Sequence, residues 1–254
     1  MSHYSSTTRC ARCKGMFYCS RQCQKEEWPA HKPFCHDAEK HSDFTRKCLQ
    51  RLNDSQEFRD SLRVALAEKY YKVFTTSPNP TKMWVVATYV GLRPRDGQDF
   101  KALGSPKVPI ASLLKKKMPG ELIIYKMTDL SNMENHPIND RARAMWRQSR
   151  DRLDNTGFTD SHAILVLFVY NDEIQYLLLE VVSPQDLQDV QTRADASGDW
   201  RQMDLPNPGI ERVNHFLTTG ELSKKFRSPM SDGDKKSVRE AAREVLFPGQ
   251  WTDL

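Results

Sequence analysis

An α+β fold is what this sequence predicts, with a small cysteine-built finger ahead of a helix and an α+β body that contains a β-hairpin. Three observations carry the expectation. Phe58, Leu62, Leu66, Tyr70 and Val73 recur at three- or four-residue steps, the period of one helical face. Two strand-sized apolar runs, 163–170 and 173–182, flank Asn171-Asp172, a pair that tolerates the dihedrals of a tight turn. All six cysteines of the 254 residues lie within the first 48, and five of them form one short pattern.

That pattern reads Cys10-Ala-Arg-Cys13, then Tyr18-Cys19-Ser-Arg-Gln-Cys23, then Trp28-Pro-Ala-His31-Lys-Pro-Phe-Cys35. Cys-x2-Cys, Cys-x3-Cys and His-x3-Cys are the spacings of tetrahedral zinc sites, where neighbours on one turn aim at one ion about 2.3 Å from each sulfur. A secreted disulfide scaffold fits less well. Residues 1–9 lack an apolar signal region, and no cysteine follows Cys48. Reduced thiolates on Zn2+ in an intracellular protein, cytoplasmic or nuclear, are therefore expected. Ser20 is placed to cap a short helix over 21–30, which sets Cys23 one turn inside its start and turns Trp28 toward the finger's small core. Cys48 lies outside the pattern and reads as a buried helix cysteine.

The remaining elements follow in order. Residues 37–74 read as helix, broken near Asn53-Asp54-Ser55 and ended by Thr75-Thr-Ser-Pro-Asn-Pro80, because proline cannot continue a helix. The β-branched and aromatic run 83–92 reads as a strand, 93–97 as a turn, and 121–127 as a second strand. A charged helix is expected over 138–153. The hairpin 162–182, almost continuously apolar, is expected to be covered on both faces. Ser183-Pro184-Gln-Asp186 opens another helix, with serine at the cap and proline at the first position. Residues 195–209 read as a loop, and helices return over 210–217 and 234–246. The domain organisation expected is a disordered 1–9, a finger over 10–35, a helical segment over 36–76 and an α+β body over 77–254.

The run Tyr18-Cys19-Ser20-Arg21-Gln22-Cys23-Gln24, with Trp28, His31-Lys32 and Cys35, closely resembles the C-terminal two thirds of a MYND zinc finger. The resemblance covers about residues 10–35. It implies two zincs bound by four interleaved ligand pairs, the first with the third and the second with the fourth. On that scheme Cys10, Cys13, His31 and Cys35 make a complete Cys3His site. Cys19 and Cys23 match the third pair, and its upstream Cys-x2-Cys partner has no counterpart here. Three accounts stay open: a sequence that begins too late, a site completed by His3 with water or with His36 or His41, or a site left empty. One zinc is the expectation. The family also implies a protein partner, met through a shallow groove that takes proline-containing peptides.

Composition limits the other classes of function. The chain is 38% hydrophobic and 28% charged, with a formal charge of +5. No run reaches the roughly 18 apolar residues that span a bilayer. Residues 1–50 hold nine Lys/Arg against five Asp/Glu, scattered rather than clustered, and the ligand pairs lack the ~12-residue gap of a groove-reading finger. Nucleic acid is not the expected partner. Lys115-Lys-Lys117 is too short for a localisation signal. MYND fingers also occur inside SET-domain lysine methyltransferases, so that enzyme class has to be weighed. Its Asn-His-Ser-Cys-like segment and Gly-x-Gly loop are both missing. No Gly-x-Ser-x-Gly elbow, P-loop or His-Glu-x-x-His occurs either, while His136, His162 and His215 are isolated and Asp172-Glu173 read as turn residues. The expectation is a binding protein rather than an enzyme, with its oligomeric state left open.

Overall fold

The computed structural model describes residues 8–9, 17–18, 21–31, 38–132, 138–171, 173–197, 208–219 and 222–246. In chain order the elements are β1 (Thr8–Arg9), β2 (Phe17–Tyr18), α1 (Arg21–His31), α2 (Ala38–Asn53), α3 (Gln56–Thr76), β3 (Trp84–Pro94), α4 (Gly97–Leu103), α5 (Ile110–Leu114) and β4 (Pro119–Asp129). They continue with α6 (Asp140–Asn155), β5 (His162–Tyr170), β6 (Glu173–Val182), α7 (Pro184–Ser197), α8 (Pro208–Thr218), a 3-10 turn (Leu222–Phe226), β7 (Arg227–Pro229) and α9 (Asp232–Leu246). The fold is α+β. Its residues fall into two compact units, one drawn from Lys47–Gly91 and Ile123–Phe226, the other from Met1–Arg46, Leu92–Leu122 and Arg227–Leu254.

The larger unit is built on the hairpin. Asn171 takes φ 51°, the left-handed conformation that lets β5 turn straight into β6. β5 and β6 pair antiparallel from His162↔Val182 to Tyr170↔Glu173, and β3 joins β5 in parallel from Trp84↔Ile164 to Tyr89↔Val169. Val85, Ala87, Leu165, Leu167 and Val169 share one face with Leu130, Ile138 and Ala142, and Met145 and Trp146 of α6 pack against that cluster. The opposite face meets α3, where Phe58 lies 6.4 Å from Phe168 and Tyr70 and Phe74 close around Trp84 at 5.3 and 5.0 Å. All nine residues of β5 are buried, as coverage on both faces requires. β6 departs from the expectation. It is an edge strand, and several of its residues remain half-exposed.

Local chemistry sets the ends of the helices. Ser55 is extended and accepts the Phe58 N–H at 3.3 Å, so the break between α2 and α3 falls where the Asn-Asp-Ser run placed it. Ser183 and Asp186 bond reciprocally in the manner of a capping box, the serine N–H to the carboxylate at 2.8 Å and the aspartate N–H to the hydroxyl at 3.2 Å. α8 approaches α3 so closely that a Cβ on Gly209 would lie 2.4 Å from Ala65 Cα. Arg150, buried, donates to the carbonyls of Pro80, Ser161 and Phe158 and to Asp154, which fastens the α3–β3 and α6–β5 connections to one guanidinium.

In the smaller unit β7 pairs antiparallel with the start of β4, from Pro119↔Pro229 to Glu121↔Arg227. Residues 93–97 are not simply a turn. β3 continues to Pro94, and Asp96 accepts the Gln98 N–H at 2.7 Å to cap α4. α4 and α5 span seven and five residues, too few to show a helical period in sequence. Lys235 of α9 is buried and donates to the carbonyls of Leu114 and Lys116 at 2.9 Å each, satisfying the end of α5.

Two outcomes follow from this packing. Gly209→Ala has to force α8 away from Ala65, so urea unfolding is expected to show a loss of about 1–3 kcal/mol, the usual cost of overpacking. His162 is buried against Phe74 with ring centroids 3.7 Å apart, and burial, helped by the nearby Arg150 cation, lowers its pKa to about 4. Its folded pKa is thus below the unfolded value, so the neutral ring stabilises the fold above the unfolded pKa. That stability is lost as pH falls from about 6.5 toward 4, by up to about 3 kcal/mol. His162→Phe should flatten the drop in urea midpoint between neutral pH and pH values near 4.5.

Candidate metal centre and docking groove

The finger begins with a two-rung ladder, Thr8↔Tyr18 and Arg9↔Phe17, antiparallel. In chain order Cys10 and Cys13 fall in the connection between β1 and β2, and Cys19 follows β2. α1 then starts at Arg21, matching the helix expected there. Cys23 sits in its first turn, half-buried. His31 is the last residue of α1. Cys10, Cys13, Cys19 and Cys35 lie outside the described residues. Cys23 alone among the six candidate ligands has a described side chain, and its place one turn into the helix suits a Cys-x3-Cys zinc pair.

α1 also carries a surface feature. Gln24, Lys25 and Trp28, separated by one and three residues on the helix, line a shallow open groove of about 310 Å³, with Trp28 half-buried in it. Pro29 lies inside the same helix and has no N–H, so the Lys25 carbonyl lacks its usual partner four residues on. Gln22 and Glu26 bond across one turn at 2.9 Å and stiffen the opposite side.

In the body, Met145, Gln148, Ser149, Asp151, Arg152 and Leu179 help line a second open groove of about 680 Å³. His162 is buried in β5, His215 lies on α8, and His136 and Asp172 fall outside the described residues. Among the described residues, no three His, Cys, Asp or Glu side chains gather as metal ligands. Among the buried charges that were not anticipated, one lies on the hairpin. Glu180 on β6 is 2% exposed and accepts from Arg59 of α3 at 2.7 Å, while Arg63 lies 3.5 Å from Asp186. Burial raises the Glu180 pKa and the Arg59 cation opposes the rise. The only signal in sequence was a lone glutamate inside an apolar strand. Its partner, more than a hundred positions earlier, gave none.

Residues 2–35 match the MYND finger, beginning earlier than the 10–35 expected from the ligand pattern. Residues 40–199, more than half of the chain, match the family described as a domain of unknown function, DUF8205. The chain belongs to the DUF8205 family. In this member the DUF8205 match runs from α2 to the end of α7 and takes in β3 to β6. The N-lysine methyltransferases SMYD2 of Homo sapiens and Sus scrofa are each 57% identical to it over 28 N-terminal residues, and that of Bos taurus is 54% identical. Those matches cover 11% of this chain and 6% of each relative. A similarity so short concerns the finger and supports no methyltransferase role. No solved structure matches. Among the described residues, no helix is long and apolar enough to cross a membrane.

Cys48 belongs to the DUF8205 region and behaves as a core residue. It is 1% exposed, burial pushes its pKa up to about 12, and its sulfur sits 3.7 Å from the Lys225 carbonyl. A chromogenic disulfide reagent at pH 8 should therefore leave Cys48 unmodified in the native protein, chelator present or not, and modify it only after denaturant is added. Peptide mapping by mass spectrometry reads the site directly.

Proposed function

We propose that this protein is a zinc-dependent docking module that binds proline-containing segments of partner proteins through the groove on α1, inside the cell. Its parts are a finger over 10–35, a helical segment over 36–76 and an α+β body over 77–254. Cys10, Cys13, His31 and Cys35 hold one Zn2+. Cys19 and Cys23 are half of a second site whose remaining donors are not apparent in the sequence.

The observation that carries this reading is the alignment of Gln24, Lys25 and Trp28 along an open groove on the helix that starts beside Cys23. A finger of this size has little core of its own, and metal ligation supplies the rigidity that burial cannot. An extended proline-rich ligand loses little conformational entropy on docking, and an indole face offers the apolar contact such a ligand uses. The DUF8205 body contributes a folded support.

Zinc content of the reduced, purified chain tests the metal half. One zinc per chain is expected, with His31→Ala weakening it beyond the about 10–100-fold that loss of a supporting partner costs. Two zincs would show the Cys19/Cys23 site completed by another donor, and no zinc overturns the proposal. Trp28→Ala tests the groove. It should abolish capture of an immobilised proline-rich peptide and leave the zinc content unchanged.

A further inference from the structure

Residues 92–122 hold seven Lys/Arg against three Asp/Glu, an imbalance hidden in the near-neutral total for the body. Each of the three acids is engaged locally. Asp96 caps α4, Asp99 is buried and paired with Lys116, and Glu121 accepts from Arg93 at 2.9 Å with Arg95 at 4.0 Å. The two arginines are drawn to that carboxylate. Lys101, Lys107, Lys115 and Lys117 are all exposed, and among the described residues none has an ion-pair partner.

The backbone that carries them is held from two sides. Lys116 reaches Asp99 and pins 115–117 to α4, while the buried Lys235 bonds the carbonyls of Leu114 and Lys116 from α9. Beside Lys101, Phe100 stands 42% exposed on the same short helix. Lys115 and Lys117 thus flank the residue tied to α4, the helix that carries Lys101 and the exposed Phe100. Like charges held together without counter-charges favour an anionic partner, and a ring with water on one side favours a partner with an apolar residue.

We propose that this α4–α5 surface docks an acidic, extended segment of a partner protein, its carboxylates on Lys101, Lys107, Lys115 and Lys117 and an apolar anchor on Phe100. A peptide suits the surface better than nucleic acid does. Single strands are held by rows of aromatics along a basic groove and by arginine stacking, whereas here one aromatic is available and the neighbouring arginines are occupied by Glu121.

The test uses the full, zinc-loaded chain and fluorescence anisotropy of a labelled twelve-residue Asp/Glu peptide with one central leucine. An Asn/Gln version, an oligo-dT of equal length and phosphatidylserine vesicles serve as comparisons. The acidic peptide should bind, and bind more weakly as salt rises. Lys101→Gln/Lys115→Gln/Lys117→Gln should weaken it about tenfold or more and flatten its salt dependence, as expected for removal of complementary charge. Lys47→Gln/Lys72→Gln/Lys126→Gln, which removes the same charge from exposed sites elsewhere, should stay within about twofold. Phe100→Ala should weaken binding and leave the salt dependence unchanged. Equal weakening by the two triple variants, no binding of the acidic peptide, or tighter binding of the oligonucleotide or the vesicles would each overturn the proposal.

Discussion

Strand β5 is buried at every one of its nine positions, and that single fact imposes layers on the larger unit. A strand whose alternate side chains point to opposite faces can hide all of them only if both faces are closed. One face is closed by α6, through Ala142, Met145 and Trp146. The other is closed by α3, whose Phe58, Tyr70 and Phe74 lie against Phe168, Trp84 and His162. His162 and Glu180 are casualties of this arrangement. Both are polar, both sit on the buried hairpin, and the one gives up its positive charge while the other takes Arg59 as a partner.

Closing the faces leaves the sheet margin to be managed. Beyond the residues paired with β7, Ile124 has its N–H and C=O satisfied by one side chain. Asn214 of α8 accepts at 2.7 Å and donates at 2.6 Å, a carboxamide standing in for the missing strand. Lys69 of α3 donates to the Met127 carbonyl at 3.0 Å in the same way. The register between β3 and β4 also shifts by one residue between the bonds Arg95 N–H to Pro119 O and Leu130 N–H to Val85 O. Between those bonds β4 advances eleven positions where β3 advances ten, and burial changes phase on β4 between Ile124 and Met127. The extra residue therefore lies on β4, a bulge that turns Tyr125 outward where Gly91 offers it room.

The finger solves a different problem with different means. Its described part is two short strands and an eleven-residue helix, far too little to bury a core. Metal ligation can be specified by residue type and spacing within a few dozen positions, which is why the pattern was visible at once. A docking groove needs only one helix face, and Gln24, Lys25 and Trp28 share one. The α4–α5 surface differs in kind, since the short run Lys115-Lys-Lys117 is left unneutralised only by the pairing of Asp99 and Glu121 elsewhere.

Those contrasts separate what the sequence determined by itself from what tertiary structure decided. The sequence determined features whose causes lie within a few residues. These are the Cys/His spacing of the finger, the helix break capped by Ser55, the turn at Asn171, the start of α7 at Ser183 and the apolar face of α3 from Phe58 to Tyr70, though Phe74 and not the expected Val73 is buried at its end. Tertiary structure decided everything whose cause is a distant partner. That includes β6 at the sheet edge, the short α4, α5 and β7, the burial of Asp99, Glu180 and Lys235, and the approach of α8 that only Gly209 permits. The reason is physical. Dihedral preference, capping and ligand spacing act along the chain, whereas burial and charge pairing depend on which segments meet in space, and a lone glutamate in an apolar strand does not say where its arginine will be.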